Sequence, residues 1–389
     1  MANTLNLGNG NWATKEDSLL AYNSENGNFK PLPFDFTRAS SATVVNKAGL
    51  IETVGSGEPR IDFSNDVKGA LKLEPTRSNL FPNSQNFNTW SSSGWTLTSG
   101  LLAPNGNLDA YSVLRTTGTS FAQTLTLSAN TTYTFTSYIK NVNSTNIQLR
   151  VQNQAGNTSG TESNCIVFSV TDQTSTSNFT RITHTFNTGD AGSYGLFLGY
   201  YSAGEYIVWG AQLEQGSYAT SYIPTQGGAV TRVLDASSQT VPSGVKIENQ
   251  GSLYFEFNSS YLEAYSQRIL TISEDVSNLI EFQLASANLL TFVLVKSGQS
   301  GVVITQSAPS ITLGENTKIA AAFSNGDFVF YVNGTLIGTD TDPSKSVPTI
   351  SDIKFSRYNS TTPFIGSVNN LKLYNTRLSN AELQALTSN

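Results

Sequence analysis

The sequence predicts an all-β protein, in which an N-terminal β connector is followed by two β-sandwich domains of the jelly-roll type. Charged residues make up only 13% of the 389 residues, about half the usual share for a soluble protein. Thr, 16 Tyr and 21 Phe favour pleated strands, and abundant Asn, Gly and Ser supply turns. Segments that alternate apolar and polar residues recur along the chain, whereas long runs with helical period are missing.

The first 33 residues are polar and rich in Asn and Gly, apart from a small apolar group at Leu19, Leu20 and Tyr22. We define residues 1–33 as an N-terminal arm. Two interpretations stay open for it. The arm is either an extended segment that orders on a partner protein, or a loosely held terminus.

The sequence predicts a charged β connector at residues 34–80, where 12 of the 47 residues are charged. "RIDF" and "LKLEP" alternate apolar and charged residues as half-buried strands do, and "NKAG" predicts a hairpin turn with a positive φ at Gly49. Because Arg binds carboxylates in a bidentate manner, we expect structural ion pairs here. A solvated charged face is the alternative, since exposed pairs stabilise little. The residues predicted to form the pairs are Asp35, Arg38, Glu52, Arg60, Asp62, Glu74 and Arg77.

Residues 81–226 predict the first sandwich domain. Its segments "TYTFTSYIK", "RITHTF" and "EYIVWGAQLE" follow one another at the spacing of a jelly roll. Residues 227–250 are punctuated by Gly, Ser and Pro and predict a linker.

Residues 251–389 predict the second sandwich domain. The segment "LLTFVLV" is typical of a buried strand. Asn333-Gly334 between alternating segments is the strongest short signal for a hairpin. Ser379 and Glu382 form a capping box that predicts one short C-terminal helix.

The chain offers little of the chemistry that enzymes use. A single histidine, His184, in a predicted strand, argues against a zinc site and against a Ser-His-Asp triad. Glycoside hydrolysis by two carboxylates stays open as an alternative, since 28 acidic residues are present. Those acids concentrate at 34–80 among Arg and Lys, which lower a carboxyl pKa instead of raising it. We therefore expect a protein that is not an enzyme.

Sugar binding is the positive expectation, because aromatic faces stack on pyranose rings. The alternative for each aromatic is core packing, which we expect for Trp209. Asp340 and Asp342 in "GTDTDPS" are a weak calcium candidate beside a plain turn, and no other metal or cofactor is expected. The candidate sugar-binding residues are Trp90, Trp95, Tyr200, Tyr201 and Tyr206.

Charge and hydropathy exclude several classes of partner. The net charge of −6, without a basic stripe, argues against nucleic acid. No apolar stretch approaches the roughly 18 residues of a membrane helix, and the N-terminus lacks the regions of a signal peptide. Cys165 is the single cysteine, so no internal disulfide forms. These features are typical of a protein that is assembled in a bacterial cytoplasm and released by lysis, as virion components are.

Three stretches resemble known families. "FDFTRASSATVVNKAGLIETV", "EPRIDF" and "LKLEPTRSNLFPNSQNF" resemble a module that recurs in bacteriophage virion proteins. "VWGAQLEQGSYATSYIPT" followed by "AVTRVLD" is similar to the end of the carbohydrate-binding-like jelly roll that accompanies this module. "FYVNGTL" and "FIGSVNNLKLYNTRLSNAELQAL" resemble laminin-G or concanavalin A-like lectin domains.

The resemblance implies a non-enzymatic phage structural protein on the virion surface, as a capsid decoration, head fibre or tail component. It also implies lectin-like adhesion to glycans and attachment to other virion proteins through residues 1–33. By analogy with viral appendages we expect a homo-oligomer, with a trimer left open. The alternatives are a receptor-binding tail fibre and a glycan-degrading enzyme. No catalytic residue carries over from the family.

Overall fold

The computed structural model describes residues 4–15, 18–20, 22–23, 33–118, 120–153, 165–241, 247–259, 267–284, 289–306, 311–356 and 364–388. The chain forms two compact units, and each is described by itself. Unit 1 comprises Met1–Lys47, Val54–Pro75 and Val233–Asn389, and unit 2 comprises Ala48–Thr53 and Thr76–Arg232. The sequence of unit 2 is therefore inserted into that of unit 1.

The described elements are nearly all strands, which confirms the predicted all-β class. The first strands are β1 (Thr4–Gly8), β2 (Ala13–Lys15), β3 (Ser18–Leu20), β4 (Tyr22–Asn23), β5 (Pro33–Thr37), β6 (Ala42–Val45), β7 (Ile51–Val54), β8 (Ile61–Asp62) and β9 (Ala70–Leu73). The middle of the chain forms β10 (Arg77–Asn79), β11 (Trp95–Leu101), β12 (Ala110–Arg115), β13 (Ser120–Leu127), β14 (Thr132–Asn141), β15 (Gln148–Asn153), β16 (Cys165–Ser169), β17 (Thr180–Asn187), β18 (Gly192–Tyr200), β19 (Glu205–Gln215) and β20 (Val230–Arg232). The last part forms β21 (Ala236–Thr240), β22 (Gln250–Asn258), β23 (Gln267–Asp275), β24 (Asn278–Leu284), β25 (Leu290–Val295), β26 (Val302–Thr305), β27 (Asn316–Ser324), β28 (Asp327–Val332), β29 (Thr335–Asp340), β30 (Asp352–Lys354), β31 (Gly366–Tyr374) and the helix α1 (Asn380–Thr387).

Unit 1 is a β-sandwich of two antiparallel sheets. Over the described residues, one sheet has the order β29-β28-β27-β22-β31-β1-β4, with β9 on β31 and β8 on β9. The other has the order β2-β3-β5-β21-β30-β23-β24-β25-β26. Phe and Leu side chains from both sheets fill one core, and α1 packs through Leu383 against the outer face of the first sheet.

Segments from the N-terminal part of the chain are strands of this sandwich. β1 pairs with β31, and its Leu5 and Leu7 are fully buried in the core. β5 pairs with β21, and Phe34 and Phe36 of β5 enter the same core. The predicted arm and connector thus supply strands to unit 1, because their apolar residues find partners in the C-terminal half. β20 and β21 likewise lie within the predicted linker at 227–250.

Unit 2 is a second sandwich, built from a five-stranded sheet, β11-β12-β19-β14-β17, and a four-stranded sheet, β13-β18-β15-β16. A separate short ribbon joins β10 to β20. The core between the sheets is aromatic, with Phe81, Phe87 and Phe121 among its fully buried members. Two β-sandwiches are therefore confirmed in the part of the chain that the structure describes.

The local sequence signals are confirmed where the structure describes them. β28 and β29 form the predicted hairpin, with φ of +45° at Asn333 and +78° at Gly334, as a tight primed turn requires. Ser379 and Glu382 form the predicted capping box of α1. The buried strand in "LLTFVLV" is β25, which pairs on both sides. Gly49 has the predicted positive φ, +80°.

Candidate functional site

Unit 2 contains an open groove of about 520 Å³. Three parts of the chain form its walls: the loop before Phe87, the facing ends of β11 and β12, and the segment after β19. β11 carries a bulge where Gly100 adopts a φ of +89°, and this bulge turns the edge of the strand into the groove. The lining residues are Asn83, Gln85, Asn86, Ser99, Gly100, Leu108, Asp109, Tyr111, Thr225 and Gln226.

Asp109 lines the groove, and two donors fix its carboxylate. The indole Nε1 of Trp209 donates to its Oδ1 over 2.9 Å, and Asn105 Nδ2 donates to its Oδ2 over 2.9 Å. Each carboxylate oxygen keeps further lone pairs that accept from a ligand. The rotamer of Asp109 is thus set before any ligand arrives, which reduces the entropy that binding costs.

Tyr111 is the second fixed polar group. Its ring packs edge-on against Phe87 at 5.5 Å, and its hydroxyl lies between two amide side chains. It donates to Asn86 Oδ1 over 3.3 Å and accepts from Asn88 Nδ2 over 3.2 Å. Burial, and then the nearby Asp109 carboxylate, raise the pKa of Tyr111 above its ordinary value. The hydroxyl therefore stays protonated at neutral pH and acts as a donor.

The two lips of the groove are held by the backbone. Asn83 and Gln226 form an antiparallel bridge, and the Gly227 amide donates to Asn83 Oδ1 over 3.1 Å. Thr225 Oγ1 accepts from the Ser84 amide over 3.0 Å. Amide, hydroxyl and carboxylate groups therefore converge on a preformed space, with Leu108 as an exposed apolar rim. This donor and acceptor set matches a polyhydroxylated ligand.

Three of the five predicted sugar-binding aromatics belong to the core of unit 2. Trp90 and Trp95 are 4% and 8% exposed, and Tyr206 is completely buried. Trp90 packs against Phe81 at 5.0 Å, and Trp95 packs edge-on against Tyr206 at 6.4 Å. The prediction is corrected for these three residues, because an enclosed ring has no face to offer a sugar. Burial also raises the pKa of Tyr206, whose hydroxyl donates to the Leu198 carbonyl over 2.8 Å.

The other two predicted aromatics lie at the surface of unit 2. Tyr201 is 45% exposed and Tyr200 is half-buried, and their rings meet edge to face at 4.7 Å. Each ring carries a guanidinium: Arg150 lies 4.3 Å from the centre of the Tyr200 ring, and Arg115 lies 5.0 Å from that of Tyr201. Unlike the three core aromatics, Tyr200 and Tyr201 thus keep ring surface exposed to solvent, although a guanidinium covers part of each ring.

The predicted ion pairs of the connector converge on a residue that the sequence did not single out, Asp235. Arg38 Nη1 donates to Asp235 Oδ1 over 3.1 Å, and Arg60 Nη2 donates to Asp235 Oδ2. Arg60 Nη1 also donates to Glu74 Oε2 over 2.7 Å. Arg38, Arg60 and Asp235 are buried to 98% or more of their surfaces. Burial alone would lower the pKa of Arg60, but Glu74 and Asp235 outweigh it and raise the pKa.

Four other predicted members lie outside this buried network. Asp62 pairs with Lys72 at 3.1 Å. Arg77 instead stacks over the Tyr218 ring at 5.0 Å. Asp35 on β5 and Glu52 on β7 are exposed and lie outside the buried network. Asp35 faces outward between the buried Phe34 and Phe36, as period-2 alternation dictates.

The calcium candidate is a turn stabilised by its own side chains. Lys345 Nζ donates to Asp340 Oδ2, and Asp342 Oδ1 accepts from the amide and hydroxyl of Ser344 over 2.9 and 2.7 Å. Within the described part of the chain, no group of three or more His, Cys, Asp or Glu is placed to hold a metal ion.

Among the described residues, no helix has the length and hydropathy of a membrane span.

The sequence did not single out the groove residues. Asp109 and Tyr111 stand in "NGNLDAY", where an Asn/Gly turn precedes a strand, and such turns recur throughout this chain. The i, i+4 spacing of Asn105 and Asp109, followed by an aromatic residue, is a local signal. Thr225 and Gln226 reach the groove only through tertiary pairing, which local patterns do not contain.

Solved structures show similarity to parts of the chain. One is the IT-sialidase CBM40 of Ruminococcus gnavus bound to α2,3 sialyllactose, with 18% identity, 37% of this chain and 84% of that chain covered, and a TM-score of 0.31. Another is the SAP-like pentraxin of Limulus polyphemus, with 14% identity, 39% and 73% covered, and a TM-score of 0.30. A leech intramolecular trans-sialidase has 19% identity, 39% and 26% covered, and a TM-score of 0.33.

A match to a curated protein was not found. A family model does match the C-terminal part of the chain. Residues 232–384 match the laminin-G-type model of the concanavalin A-like lectin/glucanases superfamily. The match covers β21–β31 and most of α1, the strands that form most of unit 1. The predicted lectin-like domain is thereby confirmed, and the match to it begins at residue 232.

Proposed function

We propose that the protein is a carbohydrate-binding structural protein of a bacteriophage particle and that it has no catalytic role. The groove of unit 2 is the observation that carries the proposal for sugar binding. It presents the carboxylate of Asp109, the hydroxyl of Tyr111 and several amides in a fixed arrangement, 520 Å³ in volume. The lectin-like match at residues 232–384 supports it independently.

A sugar in this groove is held mainly by hydrogen bonds. Each such bond contributes about 0.5–1.5 kcal/mol net, because the ligand gives up bonds to water. Four or five of them total about 4–5 kcal/mol, which is equivalent to a Kd of about 1 mM before the cost of association is subtracted, so a single site binds weakly. Adhesion of a particle then depends on many copies, since linked sites raise avidity by about 10²–10⁴. Weak single sites therefore suit a protein displayed as an oligomer in many copies.

The acid content of the groove supports binding without hydrolysis. Glycosidases place two carboxyl groups about 5–9.5 Å apart on either side of the scissile bond. Asp109 is the single carboxylate among the residues that line the groove. Both of its oxygens also accept from neighbouring side chains, Oδ1 from Trp209 Nε1 and Oδ2 from Asn105 Nδ2, which holds the carboxylate in place.

The virion part of the proposal is supported by the motifs "FDFTRASSATVV", "EPRIDF" and "AVTRVLD". In unit 1 these motifs supply Arg38, Arg60 and Asp235, the buried ion-pair network. We propose a place on the particle surface, as a capsid decoration, head fibre or tail component, in contact with other virion proteins through the N-terminal region. A receptor-binding tail fibre is the alternative within this class.

A glycan array tests the binding. Purified wild type is compared with the double variant Gln85→Ala, Gln226→Ala, which removes two amides from the lips of the groove. The matched control is Gln123→Ala, a glutamine on β13 outside the groove. We expect the double variant to lose signals that the control keeps. Equal binding by all three proteins, or silence from folded wild type, contradicts the proposed site.

Location is tested on particles banded in a density gradient from a lysate that contains the protein. We expect the protein to band with the particles and to label their surface with immunogold. Protein that stays at the top of the gradient contradicts a virion role. Light scattering of the purified protein gives its mass, and a monomer contradicts the proposed oligomer.

A further inference from the structure

A row of aromatic and cationic side chains runs from the buried Phe197 to the exposed Tyr201 in unit 2, and none of its members lines the groove. We call it the Arg–Tyr ladder, formed by Phe197, Arg150, Tyr200, Tyr201 and Arg115. Arg150 lies over two rings, 5.5 Å from the centre of Phe197 and 4.3 Å from that of Tyr200. Tyr201 follows at 4.7 Å from Tyr200, and Arg115 lies 5.0 Å from the Tyr201 ring. Each member thus contacts the next.

The backbone at Tyr201 is strained. Its φ is +50°, in the left-handed region that aromatic residues rarely adopt. Gly or Asn would occupy this position at lower cost. The next residue, Ser202, is buried, and its Oγ accepts from the Gln148 amide and donates to the Gln148 carbonyl, over 2.9 and 3.1 Å. The turn therefore holds a large ring outward in a costly conformation, which is typical of a functional position.

The guanidinium positions are also set. Arg150 projects from β15, where it pairs in register with Phe197 of β18. Arg115 ends β12, and its Nε donates to the Gly118 carbonyl. A guanidinium held over a ring by a cation–π contact keeps a restricted position from which its N–H groups can donate to an anion. The half-buried ring of Tyr200 and the exposed ring of Tyr201 lie between these two cations, so guanidinium donors stand beside aromatic surface.

We propose that the Arg–Tyr ladder is a second saccharide site and that it binds sugars carrying a carboxylate or sulfate group. The rings stack on the C–H face of a pyranose, and Arg150 or Arg115 pairs with the acidic group. The chain as a whole carries a net charge of −6, so this local cationic row gives selectivity that bulk charge does not. The proposal extends the proposed glycan binding, and it does not depend on the groove.

The ladder and the groove are separate sites on one sandwich. Tyr111 and Arg115 lie near the two ends of β12, so their Cα atoms are about 13 Å apart along the strand. A variant in one site therefore leaves the side chains of the other in place. Neutral sugars are expected in the groove, and acidic sugars at the ladder.

Isothermal titration of the full chain tests the proposal with three polymers: polysialic acid for carboxylate, heparin for sulfate and dextran as the neutral probe. We expect wild type to bind an acidic polymer more weakly as NaCl is raised. Arg150→Gln and Arg115→Gln should each lower this affinity about tenfold or more. Lys47→Gln, which removes one exposed positive charge elsewhere, should leave it unchanged.

Tyr201 separates a binding role from a structural one. Tyr201→Asn relaxes the left-handed backbone, so we expect Tm to stay equal or rise while acidic-sugar affinity falls. Tyr201→Phe keeps the ring and should keep the affinity. A fall in Tm with unchanged affinity for Tyr201→Asn overturns the proposal. So does equal binding of a single-stranded oligonucleotide, which arginine and aromatic side chains also attract.

Other outcomes distinguish this proposal from the groove. Binding of array glycans that the Gln85→Ala, Gln226→Ala variant loses, with no acidic polymer bound, overturns the ladder and leaves the groove. Acidic binding that falls with Arg150→Gln and persists in the groove variant supports the ladder even if the groove binds nothing.

Discussion

Arg38 and Asp235 form a buried ion pair although 197 positions of sequence separate them. The same aspartate also accepts from Arg60, and its backbone amide donates to the Glu74 carbonyl over 3.0 Å. Each of the four charged residues lies at a strand end: Arg38 after β5, Arg60 before β8, Glu74 after β9 and Asp235 before β21. β5 and β21 belong to one sheet of unit 1, and β8 and β9 to the other. The network therefore ties the two sheets together at one place.

Removing the central carboxylate should destabilise unit 1. Asp235→Asn removes the carboxylate that the buried guanidiniums of Arg38 and Arg60 share, and the loss of one partner of a buried pair costs about 3–5 kcal/mol. We expect a fall of that size in the free energy of unfolding, measured by urea denaturation with far-UV circular dichroism. Glycan binding by the folded protein should persist, because the ion-pair network belongs to unit 1 and the proposed sugar-binding residues belong to unit 2.

The matched control is Asp35→Asn, which removes the same charge at an exposed position of β5. Its free energy of unfolding should change by less than about 0.5 kcal/mol. A similar small change in Asp235→Asn would mean that the buried charges are compensated in another way. The ion-pair network would then not be the main interaction that holds the strand ends of the two sheets together.

The sequence predicts local structure of this fold better than its long-range pairing. Asn333-Gly334 and the Ser379 capping box act within a few residues, so their signals are complete in the sequence. The pairing of β1 with β31 joins segments more than 350 residues apart, and no local pattern encodes it. Asp235 falls in the predicted linker because the Gly and Ser residues around it favour an unpaired segment, and its long-range partners leave no local signal.

The site residues follow the same division. Residue type predicts aromatic candidates for sugar binding in unit 2, but it cannot tell that Tyr206 is buried and Tyr201 is exposed. Both are tyrosines next to a strand end, and only the three-dimensional packing encloses one and exposes the other. The groove is built from common Asn and Gln residues brought together by tertiary contacts. Residue type therefore does not separate enclosed from exposed aromatics, and the place of the groove residues depends on tertiary contacts.

Acid should weaken the protein through Asp62. Burial alone would raise the pKa of Asp62, but Lys72, Ser64 and the Val45 amide outweigh it and lower the pKa. The folded state therefore binds fewer protons than the unfolded chain in the acid range. The stabilisation is complete above the unfolded value of about 3.9 and is lost as pH falls through the lower folded value.

The measurement is Tm against pH for wild type and Asp62→Asn. We expect wild type to be the more stable at neutral pH and the difference to narrow below about pH 4. Asp35→Asn serves as the control for removing an acidic charge. A difference in Tm between wild type and Asp62→Asn that is equal at both ends of this range contradicts the prediction.

At high pH, ionisation of Tyr111 should lower the stability of the folded protein. Its raised pKa means that the folded state favours the neutral phenol, so the stabilisation is complete below the unfolded value of about 10. It is lost as pH rises through the higher folded value. Tyr111→Phe removes both hydrogen bonds to Asn86 and Asn88 and should cost about 1 kcal/mol at neutral pH. Thermal unfolding should show this cost shrinking above pH 10, and a constant cost would contradict the prediction.

Gly199 provides a test of the aromatic core that encloses Trp95 and Tyr206. A Cβ at this position would lie 2.4 Å from the Trp95 ring and 2.7 Å from the Tyr206 hydroxyl, closer than real contacts allow. Gly199→Ala must therefore displace two packed rings, and overpacking of this kind costs about 1–3 kcal/mol. Urea unfolding followed by tryptophan fluorescence measures the cost, because Trp90, Trp95 and Trp209 all lie in unit 2.

The same substitution at Gly228, where a Cβ has no neighbour within 4 Å, should leave the stability nearly unchanged. Both substitutions add one methyl group, so the difference between them measures the packing at Gly199. If Gly199→Ala were as stable as Gly228→Ala, the space beside Trp95 and Tyr206 would be open. The two rings would then return as sugar-binding candidates, and the glycan array should be repeated with Trp95→Ala.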